Sequence, residues 1–320
     1  MPLKIALTGA TGFVGRAVVS ALMAKNNQVS ALVRDQSRAN LAPDVRLVLG
    51  DLQNGAALDD LAKGADVVIH IAGVIGAHSR KDYFAANEQG ALAVAEAATR
   101  NGVKRFIHIS SLAAREPRLS VYGASKSAGE TALERFSPKM SVVILRPPAV
   151  YGPGDKGTLP LLRSLTQSLA IIPGTSGARF SLIYVDDLAR IIVEAAGATR
   201  TGVVELDDGQ HQGYGWKELA RIASACEQKN IMPIFLPKFI AMSVAGIVEA
   251  FAKTSGKLPF VSRDKIHQLY HGDWVAKGAG WPLKAPVDFS QGFKTTVEWY
   301  RKMQWLPQRR GTTHRQKIVT

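Results

Sequence analysis

Short apolar runs alternate with helically spaced stretches over the first two-thirds of the chain. Leu3–Leu7 is an apolar run of strand length. Arg16–Lys25 carries apolar residues at helical spacing, and Gln28–Val33 is a second strand, which completes a β-α-β unit. Further strands are predicted at Val45–Leu52, Ala65–Gly73, Lys104–Ser111 and Met140–Pro148. Between them fall a long helix at Tyr83–Val103, with Ala and Leu on its buried face, and another at Tyr122–Phe136. Strands alternating with helices predict an α/β fold, a Rossmann-type doubly wound parallel sheet. Tyr151–Gly154 then breaks into a smaller C-terminal α/β cap. Ser181–Asp187 (SLIYVDD) is expected to return to the main sheet, with Asp187 as a helix N-cap. Gly202–Gly209 (GVVELDDG) should add one more short strand. The expected division is a nucleotide-binding body of residues 1–150 plus 182–206, a cap of residues 151–181 and 207–306, and a mobile basic tail, 307–320.

The turn between the first strand and its helix holds Gly9, Gly12 and Gly15, spaced G-x-x-G-x-x-G. Gly9 permits the turn, Gly12 lets backbone N–H groups approach a pyrophosphate, and Gly15 lets helix and sheet pack closely. The helix N-terminus supplies partial positive charge. Thr11, Phe13 and Val14 complete this expected cofactor loop. At the end of the second strand, Val33 stands where an acidic residue would hold the ribose hydroxyls of NAD, and Arg34 follows. A guanidinium suits a 2′-phosphate, so NADP(H) is expected over NAD(H). Asp35 could instead pair with Arg34 or serve a ribose. Asp51 and Leu52 are expected at the adenine. Ala72 and Gly73 end the fourth strand where a cofactor could lie against the backbone. His70 is read as a core histidine.

Composition narrows the class. The chain has 320 residues, with hydrophobic content 46% and a single cysteine, Cys226. A large core is available, while a disulfide framework or clustered metal site is not expected. The opening MPLKIALTGA shows no charged leader before a long apolar stretch, so no secretory signal is expected and a reducing cytoplasm is favoured. Net charge is +14. The positive charge is scattered, apart from Pro307–Lys317, which suits a weak contact with an anionic surface. No interleaved aromatic and basic pattern points to nucleic acid.

Ser120–Glu130 reads SVYGASKSAGE, with Tyr122 and Lys126 four apart among small residues. The plain reading is a helix start that packs closely. The chemical reading is that Lys126 lowers the phenol pKa of Tyr122 for proton transfer. In order, T-G-A-T-G-F-V-G (Thr8–Gly15), G-D-L (Gly50–Leu52), H-I-A-G (His70–Gly73), I-S-S (Ile109–Ser111), Y-G-A-S-K (Tyr122–Lys126), L-R-P-P-A-V-Y-G-P (Leu145–Pro153) and Y-V-D-D-L-A (Tyr184–Ala189) resemble the extended short-chain dehydrogenase/reductase superfamily. The resemblance covers at least residues 3–196. It implies that Ser111 bonds the substrate oxygen, that Tyr122 moves the proton, and that Lys126 holds the nicotinamide ribose. Ser110 is the alternative to Ser111. Asn87 is expected to be satisfied locally or to order a water beside Lys126. Pro147 and Pro148 would flank the nicotinamide. A homodimer through the helices at Tyr83–Val103 and Tyr122–Phe136 is implied by the same resemblance.

Two readings compete for a small-molecule substrate. Nucleotide-sugar epimerases and dehydratases often carry Asn where this chain has Ala149, though Arg179 could meet a diphosphate. The Arg146–Ala149 run instead resembles the 3β-hydroxysteroid dehydrogenase and dihydroflavonol reductase branch, which implies a carbonyl or alcohol on an apolar substrate. Leu236–Leu269 also looks like that branch. A non-catalytic NADP-binding assembly or regulatory protein is a third reading, disfavoured by the intact Ser-Tyr-Lys set. The apolar stretch Phe239–Ala252 is too short for the ~20 residues of a bilayer span. It reads as a cap helix over the active site or, alternatively, as a peripheral membrane contact.

Overall fold

The computed structural model describes residues 2–255, 258–259 and 261–308; most of the basic tail, 309–320, lies outside the described residues. In chain order the body contains β1 (Lys4–Thr8), α1 (Phe13–Met23), β2 (Gln28–Val33), β3 (Arg46–Leu49), α2 (Gly55–Ala62), β4 (Val67–His70), α3 (Arg80–Phe84), α4 (Gly90–Arg100), β5 (Arg105–Ile109), α5 (Val121–Glu134) and β6 (Ser141–Arg146). With the Gly202–Glu205 strand at one edge they form a seven-stranded sheet, ordered Gly202–Glu205, β6, β5, β4, β1, β2, β3. Every pairing is parallel. Parallel strands covered on both faces must be apolar on both, which is why they read as runs. Val18, Leu22, Leu188 and Ile192 of α1 and the Val185–Gly197 helix cover one face. Leu58, Leu61, Val94 and Leu133 of α2, α4 and α5 cover the other. The chain winds outward in both directions from between β1 and β4, so a crevice opens at the carboxyl ends of these strands.

The long helix expected over Tyr83–Val103 is not one regular helix. Between α3 and α4, Ala85–Gln89 is a π turn. Leu182–Tyr184 does not rejoin the main sheet; it pairs in parallel with Ala149–Tyr151 in a separate two-stranded sheet. Asp187 is not the helix cap. Tyr184 holds that position without a side-chain bond, and Asp187 lies buried in the first turn. There it pairs with Arg190 and accepts from Val287 N at 2.8 Å, which ties the helix to the C-terminal segment.

The cap has its own aromatic core, in which Tyr151, Phe180, Tyr214, Trp216, Phe289 and Tyr300 are buried together. A parallel ribbon of Leu169–Ile172 and Met232–Phe235 leads into the helix Lys238–Ser255. That helix rests on Arg263–Leu269 through Ala241, Ala245 and Ile266.

Candidate active site

The crevice begins at the glycine turn. Gly9 has φ +79°, and a Cβ there would lie 2.6 Å from Ala72 N. A Cβ on Gly15 would lie 2.0 Å from Gly9 O, so this glycine is required for helix-on-strand packing. Gly12 is different: it and Thr11 are exposed, and it starts α1 with no side-chain cap. Gly12 N donates back to Gly9 O at 3.1 Å, and the next N–H bonded along the chain is Arg16 N, to Gly12 O at 3.0 Å. The N–H groups of Phe13, Val14 and Gly15 therefore have no intrahelical acceptor, which fits a pyrophosphate. Arg34 is exposed just past β2, with no hydrogen bond or ion pair among the described residues. Asp35 does not pair with it. That carboxylate accepts from Ser37 N at 2.9 Å and Ser37 Oγ at 2.6 Å and meets Arg38 at 3.3 Å.

The other expected cofactor residues also have structural tasks. Asp51 Oδ1 accepts from Gln53 N at 2.9 Å and Asn54 N at 3.1 Å, shaping the turn before α2. Leu52 packs where Gly90 opens α4. Ala72 N donates to Thr8 Oγ1 at 3.3 Å, and Thr8 in turn meets His70 Nδ1 at 2.7 Å. His70 is fully buried and stacks on His108, with ring centroids 5.4 Å apart. Burial drives its pKa down to about 3, so it is a neutral core residue.

Ser111, Tyr122 and Lys126 come together at the ends of β5 and α5. Ser111 Oγ caps a short 3₁₀ turn by accepting from Ala113 N at 3.2 Å. Leu112 N donates to Pro147 O at 2.8 Å, so buried Pro147 holds that turn in place. Ser120 caps α5, accepting from Gly123 N at 2.9 Å. The small residues beside Tyr122 have a packing reason. A Cβ on Gly123 would lie 2.7 Å from Ala113 O, and one on Gly129 2.4 Å from Asn87 O. Close packing and chemistry thus share one motif. The Ser111 hydroxyl lies close enough to the Tyr122 phenol to lower its pKa. Lys126 is buried, one turn on, and donates from Nζ to Ile109 O at 2.7 Å. A Cβ on Gly73 would lie 3.9 Å from that nitrogen, so the lysine lies under the end of β4.

The electrostatics correct the expectation of an acidified phenol. Burial raises the Tyr122 pKa, and the Ser111 hydroxyl opposes this without reversing it. Burial pushes Lys126 down to about 8, while the Glu130 carboxylate pulls it back up. The phenol therefore holds its proton at neutral pH.

Asn87 is satisfied locally, one of the two expectations for it. Its Oδ1 accepts from Val74 N at 2.9 Å, and its Nδ2 donates to Val74 O at 3.0 Å and Ser125 Oγ at 2.9 Å. It fastens the loop after β4 to α5. Ser110 gives its hydroxyl to Glu130, which leaves Ser111 at the phenol. Ala149 is exposed at the start of its short strand. Arg179 stands apart in the cap, donating to Gln212 O at 2.8 Å and Gly213 O at 2.6 Å, with Glu218 at 3.9 Å. These contacts fasten it within the cap.

Sequence reading missed a chain of charges behind the site. Glu130 is bonded by Arg146 Nε at 2.9 Å; Glu205 meets Arg146 at 3.4 Å and Arg115 at 3.1 Å. Arg115 donates to Asp273 O and Val275 O of the cap, each at 2.7 Å. The available signal was Glu130 itself, one turn past Lys126 on the same helix face.

Residues 5–206 match the NAD dependent epimerase/dehydratase family. The chain belongs to that family. It shares 40% identity over 310 residues with the ceramide reductase of Caulobacter vibrioides, covering 95% of this chain and 96% of the relative. The UDP-glucose 4-epimerase of Vibrio cholerae is 27% identical, covering 93% and 95%. The same fold occurs in the UDP-glucose 4-epimerase of Thermotoga maritima, with TM-score 0.70 and 20% identity, covering 94% of this chain and 100% of that one. This member of the epimerase/dehydratase family is an NAD(P)-binding enzyme of the extended short-chain dehydrogenase/reductase type, and an oxidoreductase.

Proposed function

We propose that this enzyme reduces a ketone on an apolar, lipid-like substrate, using NADPH in preference to NADH. The observation that carries this reading is the gathering of the Ser111 and Tyr122 hydroxyls beside the buried Lys126 ammonium at the ends of β5 and α5. A phenol held there can give its proton to a substrate oxygen at neutral pH, which is what reduction needs.

When bound, the nicotinamide supplies hydride to the carbonyl carbon. The residues of this chain handle the oxygen. Ser111 and Tyr122 each offer an O–H to it, and these bonds strengthen as negative charge gathers there. Tyr122 then gives its proton to that oxygen. The Lys126 ammonium stabilises the phenolate left behind and is placed to hold the cofactor ribose. Phe13, Val14 and Gly15 offer N–H groups to the pyrophosphate, and Arg34 offers an unspent guanidinium to a 2′-phosphate.

Identity of 40% to a ceramide reductase along nearly the whole chain supports a long-chain amide lipid as the substrate class. The engaged guanidinium of Arg179 weakens the nucleotide-sugar alternative.

The test is turnover of the purified protein with a keto-ceramide or with UDP-sugars, following NADPH consumption. The keto-lipid should consume NADPH. Epimerisation of a UDP-sugar without NADPH consumption would reverse the assignment. Tyr122→Phe should lower kcat by about 10²-fold or more while leaving NADPH binding intact. Arg34→Ala should weaken NADPH far more than NADH, read from the two dissociation constants; equal losses would remove the 2′-phosphate contact.

A further inference from the structure

The Lys238–Ser255 helix is inside out. Its inner stripe is small: Ala241, Ala245 and Ala252 are buried. Its large apolar side chains face outward, with Phe239 72%, Ile247 70% and Phe251 74% exposed, and Ile240 and Val244 beside them. Ordinary packing would bury the phenylalanines and leave the alanines wet. The ribbon just upstream repeats the pattern. Leu169 pairs with Met232 and Ile171 with Ile234, and all four are exposed.

We propose that the outer face of this helix docks the enzyme on an anionic phospholipid bilayer. The inference deepens the lipid-substrate reading and rests on it for its purpose, though not for its geometry. Among the described residues no helix is long and apolar enough to cross a membrane, so the contact lies in the interface. A single convex helix with protruding aromatics suits entry into the headgroup layer, where its apolar face can reach about 5–10 Å deep.

Charge selects the lipid. The protein carries +14. Between Lys229 and Ser262 the sequence holds four lysines and one acid, Glu249. Glu249 is turned to Arg263, accepting from its backbone N at 2.7 Å, while Lys238 is exposed where the helix starts. The segment is therefore attracted to anionic headgroups. The basic, polar sequence of residues 309–320 does not suit an apolar face as a covering segment.

The docked face is also joined to the chemistry. The inner stripe of the helix packs on Ile266. On that same short helix, Asp264 accepts from Val121 N at 2.9 Å and Gln268 donates to Ser120 Oγ at 2.5 Å. Those two residues begin the helix that carries Tyr122. A lipid leaving the bilayer beneath Lys238–Ser255 would emerge next to the proton donor.

The full chain should float with vesicles of phosphatidylcholine plus phosphatidylglycerol, less with phosphatidylcholine alone, and less as salt rises. The triple variant F239S/I247S/F251S should lose about tenfold or more of this partition. Its melting temperature and NADPH-induced thermal shift should match the wild type. Leu49→Ser, at an exposed apolar site on the far edge strand, should float like the wild type. These vesicles contain no substrate, so flotation can fail while keto-lipid turnover succeeds, and the reverse. The proposal is overturned if the wild type stays in the aqueous layer, if the triple variant floats equally well, or if light scattering shows that the triple substitution splits a stable dimer, making this face an interface between copies.

Discussion

At the scale of single residues, the site depends on two opposed shifts. Burial keeps the proton on Tyr122 and loosens the one on Lys126, whose pKa falls to about 8. The ammonium form of Lys126 exists below that value and is lost as pH rises through it. If the ammonium supports the reaction, kcat/KM for reduction should decline above about pH 8. Glu130 raises the Lys126 pKa, so Glu130→Gln should move this alkaline limb toward neutrality. A pH profile with an unmoved limb would show that Lys126 is not the group that titrates. Much of this was legible in the sequence, because the spacing of Tyr122 and Lys126 places them one turn apart on any helix. The direction of the phenol shift was not, since spacing says nothing of desolvation, which here outweighs the lowering by Ser111.

At the scale of elements, the apolar runs located all of β1–β6 to within a few residues, because a parallel sheet covered on both faces admits little polarity. The π turn at Ala85–Gln89 left no trace in the pattern: one shifted backbone bond changes neither composition nor apolar spacing. It nevertheless places Asn87 against Val74 and Ser125. Leu182–Tyr184 misled for a related reason. A short buried strand reads alike whether it joins the main sheet or the separate pair with Ala149–Tyr151. Equally illegible was the bridge between body and cap, where Glu205 bonds Arg146, Arg115 and Lys277 N with only 10% of its side chain exposed. Glu205→Ala leaves two half-buried guanidinium groups short of a partner, and such a loss costs about 1–3 kcal/mol. The variant should show that loss in denaturant melts. Because the bridge holds the cap rather than the reacting atoms, KM should rise more than kcat falls. A melt indistinguishable from wild type would mean the bridge contributes nothing to stability.

At the scale of the whole molecule, stability against acid follows from where the neutral histidines sit. His70 and His108 are stacked and fully buried between β4, β5 and the helices above, and Lys126 opposes their protonation as burial does. Among the described residues, neither His108 nitrogen finds a hydrogen-bond partner, nor does His70 Nε2. In the unfolded chain each histidine takes a proton near pH 6.5; in the folded chain His70 resists until about 3. Between those limits the unfolded state binds more protons, so stability drops as pH falls. For His70 alone the deficit reaches on the order of 2 kcal/mol at pH 5, a large share of the ~5–15 kcal/mol that keeps a protein folded. His108 is shifted in the same direction by the same burial and adds to it. His108→Leu removes one of the two groups and replaces unpaired buried nitrogens with carbon. Its melting temperature should therefore fall less than that of the wild type between pH 7.5 and 5. Parallel melting curves for the two proteins across that range would place the acid sensitivity elsewhere.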